Sequence, residues 1–204
     1  MKYVISQSAP TPKKRSSNPE SPLHELTQEQ PLAEDGIFYV KGDVDYDSLY
    51  AVIAGLTYIG SAQTEITHST LIINTGGGEG SAMYELIDVM KSSKVPVATI
   101  ASGQAMSAGF MILMAGTKGY RYATENTLLM SHQYAMGSGG KEHELVAAIK
   151  ELEITSATML KHYRKCTGKS DTYIRKHLLP SSDVYLTPEE AVKHGVIDKI
   201  IEIY

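Results

Sequence analysis

One serine, Ser107, lies where a strand and a helix are predicted to meet, and its hydroxyl could have either of two roles. Residues 95–114 carry no charged side chain; β-branched residues at their start predict a strand, and an apolar run predicts a buried helix that begins at Ser107. A serine at a helix start commonly caps the helix. It could also be a nucleophile, because helix N–H groups stabilise a developing oxyanion. The residues alone leave both roles open, and the cap is the more common one.

A serine nucleophile needs a general base, and His132 is the best candidate among the seven histidines. It follows an extended run over residues 127–131, so in an α/β fold it would lie at the carboxyl edge of the sheet, where ligands gather. The other histidines have less suitable surroundings. We expect His143, His162 and His194 at the surface of helices with charged neighbours, His68 and His177 in loops, and His24 in the N-terminal segment.

A histidine base is oriented by a carboxylate, and Asp183 is the preferred candidate. It lies in a predicted loop just before residues 187–190, Thr-Pro-Glu-Glu, which form a capping box with proline at the first helical position. Asp171 is typical of a turn or a cap, and Asp198 lies in the predicted last strand. Both aspartates remain alternatives.

A glycine run over residues 76–80 follows a predicted strand over residues 70–74 and precedes a helix that opens at Ser81. It lacks the lysine of a P-loop and the third glycine of the dinucleotide-binding fingerprint. Its N–H groups are not shielded by side chains, so they could approach a carbonyl oxygen closely. The run therefore predicts a tight turn that could also bind substrate.

The composition excludes several classes of protein. The chain has 204 residues, of which 42% are hydrophobic and 21% charged, and its net charge of −4 gives no footprint for nucleic acid or for an acidic membrane surface. One cysteine cannot build a disulfide framework or a thiolate metal site, and His143-Glu144 is not followed by the second histidine of a zinc protease. No signal peptide is recognised, and polar residues within 95–114 argue against a membrane span. We expect a cytoplasmic protein without a metal or cofactor.

Strands and helices alternate along the chain, which indicates an α/β fold in one domain over residues 35–204. Asp47 or Ser48 is expected to cap the first helix of that domain. Apolar residues at helical spacing predict a long amphipathic helix over residues 141–164. Residues 1–34 are rich in proline, serine and lysine and are expected to be flexible.

Four motifs, in this order, resemble the proteolytic subunit of the Clp protease, the ClpP family of serine peptidases. They are Ile73-Asn74-Thr75-Gly76-Gly77-Gly78, Gly103-Gln104-Ala105-Met106-Ser107-Ala108-Gly109, Met130-Ser131-His132-Gln133, and Tyr185-Leu186-Thr187-Pro188-Glu189-Glu190-Ala191-Val192 with Gly195-Val196-Ile197-Asp198. The resemblance covers residues 36–203. Gly76 and Tyr134 replace prolines of the family, and Ser182 stands where the family often has an arginine.

The resemblance implies a role for each site residue. They are Ser107 as nucleophile, His132 as general base, Asp183 as orienting acid, Gly77 in the substrate-binding turn, and the N–H groups of Gly78 and Ala108 as the oxyanion hole. It also implies a ClpP/crotonase-type spiral of ββα units, with the long helix as the handle between two stacked seven-membered rings. Such a tetradecamer would receive unfolded polypeptides from an AAA+ unfoldase and would need no cofactor, nucleic acid or membrane.

Three other functions remain open. The chain could be a viral prohead or assembly-type protease that works without an unfoldase. It could be an inactive structural subunit of a mixed ring, although Ser107, His132 and Asp183 are all present. It could also be an acyl-CoA enzyme of the same superfold, but such enzymes typically rely on glutamates near the oxyanion hole rather than on a serine and histidine.

Overall fold

The computed structural model describes residues 22–26, 30–61 and 64–202. Its strands are β1 (Ile37–Val44), β2 (Ser69–Gly78), β3 (Val97–Met106), β4 (Arg121–Thr124), β5 (Leu128–Ser131), β6 (Val184–Leu186) and β7 (Lys199–Ile201). Its helices are α1 (Pro22–Leu26), α2 (Tyr46–Ser61), α3 (Gly80–Ser92), α4 (Ala108–Ala115), α5 (Glu142–Thr167), α6 (Asp171–His177) and α7 (Pro188–His194), and a short 3₁₀ helix covers Ala33–Asp35.

The centre of the fold is β3, because two strands share one of its edges. Strands β1, β2, β3, β4 and β7 lie side by side in that order and run parallel. Residues 99–101 of β3 pair with β4, whereas residues 104–106 pair with β5. Strand β6 pairs antiparallel with β5 and completes a seven-stranded sheet. The predicted α/β class is confirmed, and β3 and β5 end beside one another.

Helix α4 lies in the core, as its composition requires. All residues from Ala108 to Met114 are buried, and a helix that is apolar on every side must be covered on every side. Amphipathic helices α2 and α3 turn only one face inward. Helix α5 buries four residues, which all lie in its second half: Met159, Leu160, His162 and Tyr163.

Several local predictions are corrected by the structure. The predicted glycine turn is largely strand, since β2 continues to Gly78 and pairs again with β1 after a bulge between Lys41 and Asp43. Helix α2 begins at Tyr46 and is capped by neither Asp47 nor Ser48. Instead, an Asp45 carboxylate oxygen accepts a hydrogen bond from the Ser48 N–H at 2.7 Å.

Two histidines also lie in different surroundings from those predicted. His162 was expected at the surface, but it is only 3% exposed. It lies in the second half of α5, on the side of the helix that faces α3 and α4. His177 ends helix α6, where a loop was expected. Charged neighbours in the sequence misled the prediction for His162, because Lys161, Arg164 and Lys165 are exposed while His162 between them is buried.

Ordered structure begins before the predicted boundary at residue 35. Leu23 and Ala33 belong to the hydrophobic core, with 5% and 1% of their surface exposed. The Gln30 side chain donates to the Tyr39 carbonyl at 3.0 Å and accepts from the Tyr39 N–H at 2.7 Å, so it extends the edge of β1. The remainder of the prediction that residues 1–34 are flexible concerns residues outside the described ranges.

Candidate active site

Ser107 occupies a sharp turn between β3 and α4. Its φ of 53° is positive, which among the described residues is true of no other non-glycine residue. Although Ser107 is at the N-cap position, its side chain forms no hydrogen bond with the helix. The capping role is therefore absent. A strained turn from strand to helix costs about 1–3 kcal/mol and is characteristic of functional sites, where it exposes a nucleophilic hydroxyl.

His132 meets that hydroxyl. Its Nε2 lies 2.7 Å from the Ser107 Oγ. The two residues come together because Met106, at the end of β3, pairs with Met130 in β5, and the Ser107 N–H donates to the Met130 carbonyl at 3.0 Å. A serine hydroxyl that donates to Nε2 requires the neutral imidazole with its proton on Nδ1. This is the arrangement in which a histidine can take a proton from a serine.

Gly77, Gly78 and Ala108 were predicted to bind substrate. All three lie around Ser107, but their N–H groups differ in hydrogen bonding. The Gly77 N–H already donates to the Thr75 Oγ1 at 3.0 Å, so it is engaged within the chain. The Glu79 N–H donates to the Val44 carbonyl at 2.6 Å. Gly78 itself is the last residue of β2 and pairs with Val44 of β1, next to this engaged N–H group.

Ala108 places an N–H group at the start of a helix. It is the first residue of α4, and the first N–H groups of a helix have no carbonyl partner within it. Gly78 and Ala108 both line the same cleft as Ser107 and His132. Both residues therefore border the space in front of the nucleophile.

Close packing, rather than hydrogen bonding, explains the glycine at position 77. A Cβ at Gly77 would lie 2.6 Å from the Ser107 Cβ, and the φ of Gly77 is +113°, which disfavours any other residue. Only a residue without a side chain lets β2 approach the turn so closely. The signal in the sequence was the glycine run itself.

Strand register brings Asp183 beside His132 without joining the two. Ser131 pairs with Val184 in the antiparallel ladder of β5 and β6, so the next residues outward, His132 and Asp183, stand opposite one another. Asp183 is exposed. Within the described part of the chain, no hydrogen bond connects its carboxylate with the imidazole.

The two alternative acids are bound to arginines instead. An Asp171 carboxylate oxygen lies 3.1 Å from Arg164 Nη1. The Asp198 carboxylate pairs with Arg121 at 2.7 Å, and its pKa is lowered because hydrogen bonds and the charge of that guanidinium outweigh the effect of partial burial. Both carboxylates therefore have structural partners away from His132.

The site opens into a cleft of about 880 Å³ between the carboxyl edge of the sheet and helix α5. Tyrosines that the sequence did not single out for the site line it, namely Tyr84 on α3 and Tyr163 on α5. The Tyr84 hydroxyl is buried and has no hydrogen-bond partner among the residues that the structure describes, and burial raises the pKa of Tyr84 to about 12. Apolar spacing predicted the helices that carry these residues but not the cleft between them.

Among the residues that the structure describes, no group of three or more histidine, cysteine, aspartate or glutamate side chains could hold a metal ion. In the same ranges, no helix combines the length and apolar character needed to cross a membrane.

Comparison with known proteins gives matches over most of the chain. The family model described as Clp protease matches residues 23–204. An "ATP-dependent Clp protease proteolytic subunit" of Deinococcus radiodurans is 34% identical over 171 residues, covering 84% of this chain and 82% of that protein. The "ATP-dependent Clp protease proteolytic subunit 3, chloroplastic" of Arabidopsis thaliana is 32% identical over 180 residues, covering 88% of this chain and 57% of that protein.

Proposed function

Because the chain belongs to the Clp protease family and is a serine-type peptidase, we propose that Ser107, His132 and Asp183 hydrolyse peptide bonds as nucleophile, general base and orienting acid. The observation that carries this assignment is the 2.7 Å contact between His132 Nε2 and Ser107 Oγ at a strained strand-to-helix turn. A hydroxyl held in that way is already hydrogen-bonded to the group that must accept its proton.

In the proposed reaction, His132 removes the proton from the Ser107 hydroxyl as the Oγ attacks the scissile carbonyl carbon. The carbonyl oxygen becomes negatively charged and is stabilised by the N–H groups of Gly78 and Ala108. The imidazolium then gives its proton to the leaving amine, which breaks the peptide bond and leaves an acyl ester on Ser107. Water, activated by His132 in the same way, releases the second product.

Asp183 must move for this cycle to run at full rate. It lies opposite His132, one residue beyond the last pair of the ladder, so a displacement of the exposed residues before β6 would bring the carboxylate to the Nδ1–H. There it would fix the tautomer and stabilise the imidazolium. The resting geometry thus corresponds to a peptidase in which the serine and histidine are paired and the acid is still to be engaged.

The assembly and partners are also part of the proposal. We assign the chain as an endopeptidase subunit of a stacked-ring homo-oligomer, a tetradecamer, in the cytoplasm, that receives unfolded polypeptides from an AAA+ unfoldase. The matched relatives carry "ATP-dependent" in their names. The first half of α5 supports an interface between copies, because it exposes large apolar residues: Leu145, Val146, Ile149, Leu152 and Ile154.

A fluorophosphonate probe, which reacts covalently with activated serines, tests the assignment. We expect the label on Ser107 by peptide mapping, in a species whose native mass is that of a large ring. Ser107→Ala is the matched control, because it removes one oxygen at a half-buried position and should assemble normally without labelling or peptidase activity.

Other outcomes separate the competing functions. Peptidase activity retained by a clean Ser107→Ala preparation would disprove the nucleophile assignment. An unlabelled ring would favour a structural subunit, and label on a small species would favour an assembly-type protease.

A further inference from the structure

The side chains of the two residues that flank His132 both donate hydrogen bonds to one short segment of chain, Leu178 and Leu179. The Ser131 Oγ donates a hydrogen bond to the Leu178 carbonyl at 2.6 Å. The Gln133 side-chain Nε2 donates to the Leu179 carbonyl at 3.1 Å. His132 itself lies one residue beyond the last paired residue of β5, so these two side chains hold it where the ladder no longer does.

A third residue completes one of these ties. The Tyr163 hydroxyl lies 2.7 Å from the Ser131 Oγ, and both residues are at most 1% exposed. A carbonyl oxygen can only accept, so Ser131 must donate its proton to Leu178. Tyr163 must then be the donor to Ser131. The three groups form a directed chain from α5 through the residue next to His132. Burial raises the pKa of Tyr163, so its hydroxyl keeps the proton that it donates.

Tyr163 also contacts helix α4, which follows Ser107. Its ring packs against Phe110 of α4 with the ring centroids 6.1 Å apart. Tyr163 therefore contacts both elements that carry the reacting pair. Its ring contacts α4, which follows Ser107, and its hydroxyl contacts β5, which precedes His132. Because the side chain is rigid and fully buried, it fixes the spacing of those elements.

We propose that Tyr163 is a positioning residue: its hydroxyl, acting through Ser131, holds His132 so that Nε2 meets the Ser107 hydroxyl. This inference rests on the proposed function, since it assigns a residue that serves the same reaction. Tyr163 does not touch substrate with its hydroxyl, which is turned into the protein and engaged by Ser131. Its effect should therefore fall on reactivity rather than on substrate binding.

Tyr163→Phe is the direct test, because it retains the ring packed on Phe110 and removes only the donor. We expect the rate of Ser107 labelling by the fluorophosphonate to fall about 10- to 100-fold, since misplacement of a reacting group by about 1 Å can cost 100-fold. The kcat for a peptide should fall by the same factor, with KM near the wild-type value. Labelling stoichiometry at completion gives the folded fraction, which corrects the rates.

A double-mutant cycle distinguishes positioning from simple loss of stability. Ser131→Ala interrupts the same chain, so Tyr163→Phe added to Ser131→Ala should lower the labelling rate little further. Thr99→Val is the matched control. It removes another buried hydroxyl, which donates to the Leu113 carbonyl at 2.8 Å at the far end of α4, and it should label at the wild-type rate once corrected for folding.

The outcomes separate this inference from the proposed function. Absence of label on wild-type Ser107 would overturn the proposed function itself. Normal labelling of wild type and of Tyr163→Phe would overturn only the positioning role. So would additive losses in the cycle, or an equal loss in Thr99→Val. If Tyr163→Phe does not fold, the labelling rate of Ser131→Ala, compared with that of Thr99→Val, still tests the proposal. A wild-type labelling rate in Ser131→Ala would contradict it.

Discussion

Acid should destabilise this protein through one buried histidine. His162, on α5, is 3% exposed. Its Nε2–H donates to the Met111 carbonyl at 3.1 Å, and its Nδ1 lies 3.5 Å from the Lys91 Nζ. Burial and, next in size, the positive charge of Lys91 lower the pKa of His162 to about 4, against the opposing effects of the Met111 carbonyl and the Asp88 carboxylate. A proton on Nδ1 would face the Lys91 ammonium at 3.5 Å and only a weak acceptor, the Cys166 Sγ at 3.9 Å, so the folded state keeps the imidazole neutral.

The size of the effect follows from that pKa. A histidine in the unfolded chain has a pKa of about 6.5, so between about pH 6.5 and pH 4 the unfolded state binds a proton that the folded state does not. The free energy of unfolding must fall as the pH falls through this window. A shift of this size corresponds to about 3 kcal/mol at pH 4, which is a large share of the stability of an ordinary domain.

His162→Gln isolates this contribution, because the glutamine amide can donate to the Met111 carbonyl but cannot be protonated. The quantity to measure is the difference in unfolding free energy between the variant and wild type, from urea unfolding followed by far-ultraviolet circular dichroism, since the chain has no tryptophan. Between pH 7.5 and pH 4 the difference should move by about 3 kcal/mol in favour of the variant. Carboxylates titrate in both proteins and cancel.

The control is His143→Gln, which replaces an exposed histidine on the same helix and should leave the pH dependence unchanged. A difference between His162→Gln and wild type that stays constant from pH 7.5 to pH 4 would refute the reasoning. It would mean that water or local opening lets His162 titrate as it does in the unfolded chain.

Three further substitutions test other parts of the structure. Arg121→Met should lower the unfolding free energy by about 3–5 kcal/mol in urea titrations, because the Asp198 carboxylate would lose its buried partner; a loss under 1 kcal/mol would contradict this. Gly77→Ala should reduce the labelling rate of Ser107 at least 100-fold in a chain with a native circular dichroism spectrum, since its Cβ would displace the nucleophile. Asp183→Asn should lower kcat about 10⁴-fold; a near-normal rate would remove Asp183 from the mechanism.

The sequence indicated Ser107 and His132 as candidates because the surroundings of each are local. A strand, small residues and an apolar helix follow one another within residues 95–114, so the turn at Ser107 could be recognised without knowledge of any distant contact. His132 followed from the same reasoning at the end of β5. Asp183 could be proposed but not placed, since its distance from His132 depends on the register of β5 and β6, two strands separated by more than 50 residues.

Polar contacts between distant elements could not be predicted in the same way. Nothing in the residues around Ser131 indicates that its hydroxyl meets Tyr163, because the two come together only when α5 packs across the sheet. The same holds for His162, whose charged sequence neighbours suggested exposure. Helix α6 was missed since its seven residues include one buried side chain, Ile174, too few to give a helical period.

Helix α5 illustrates which features follow from the local sequence and which depend on tertiary packing. A long amphipathic helix could be predicted from local information, because apolar residues recur at helical spacing from Leu145 to Tyr163 and a glycine at 168 ends it in the left-handed conformation. That Met159 and Tyr163 are buried while Leu145 and Ile149 remain exposed depends on the packing of distant elements. Periodicity is a property of neighbouring residues along one helix. Burial depends on whether another element lies opposite, and here only the second half of α5 reaches the sheet and α4.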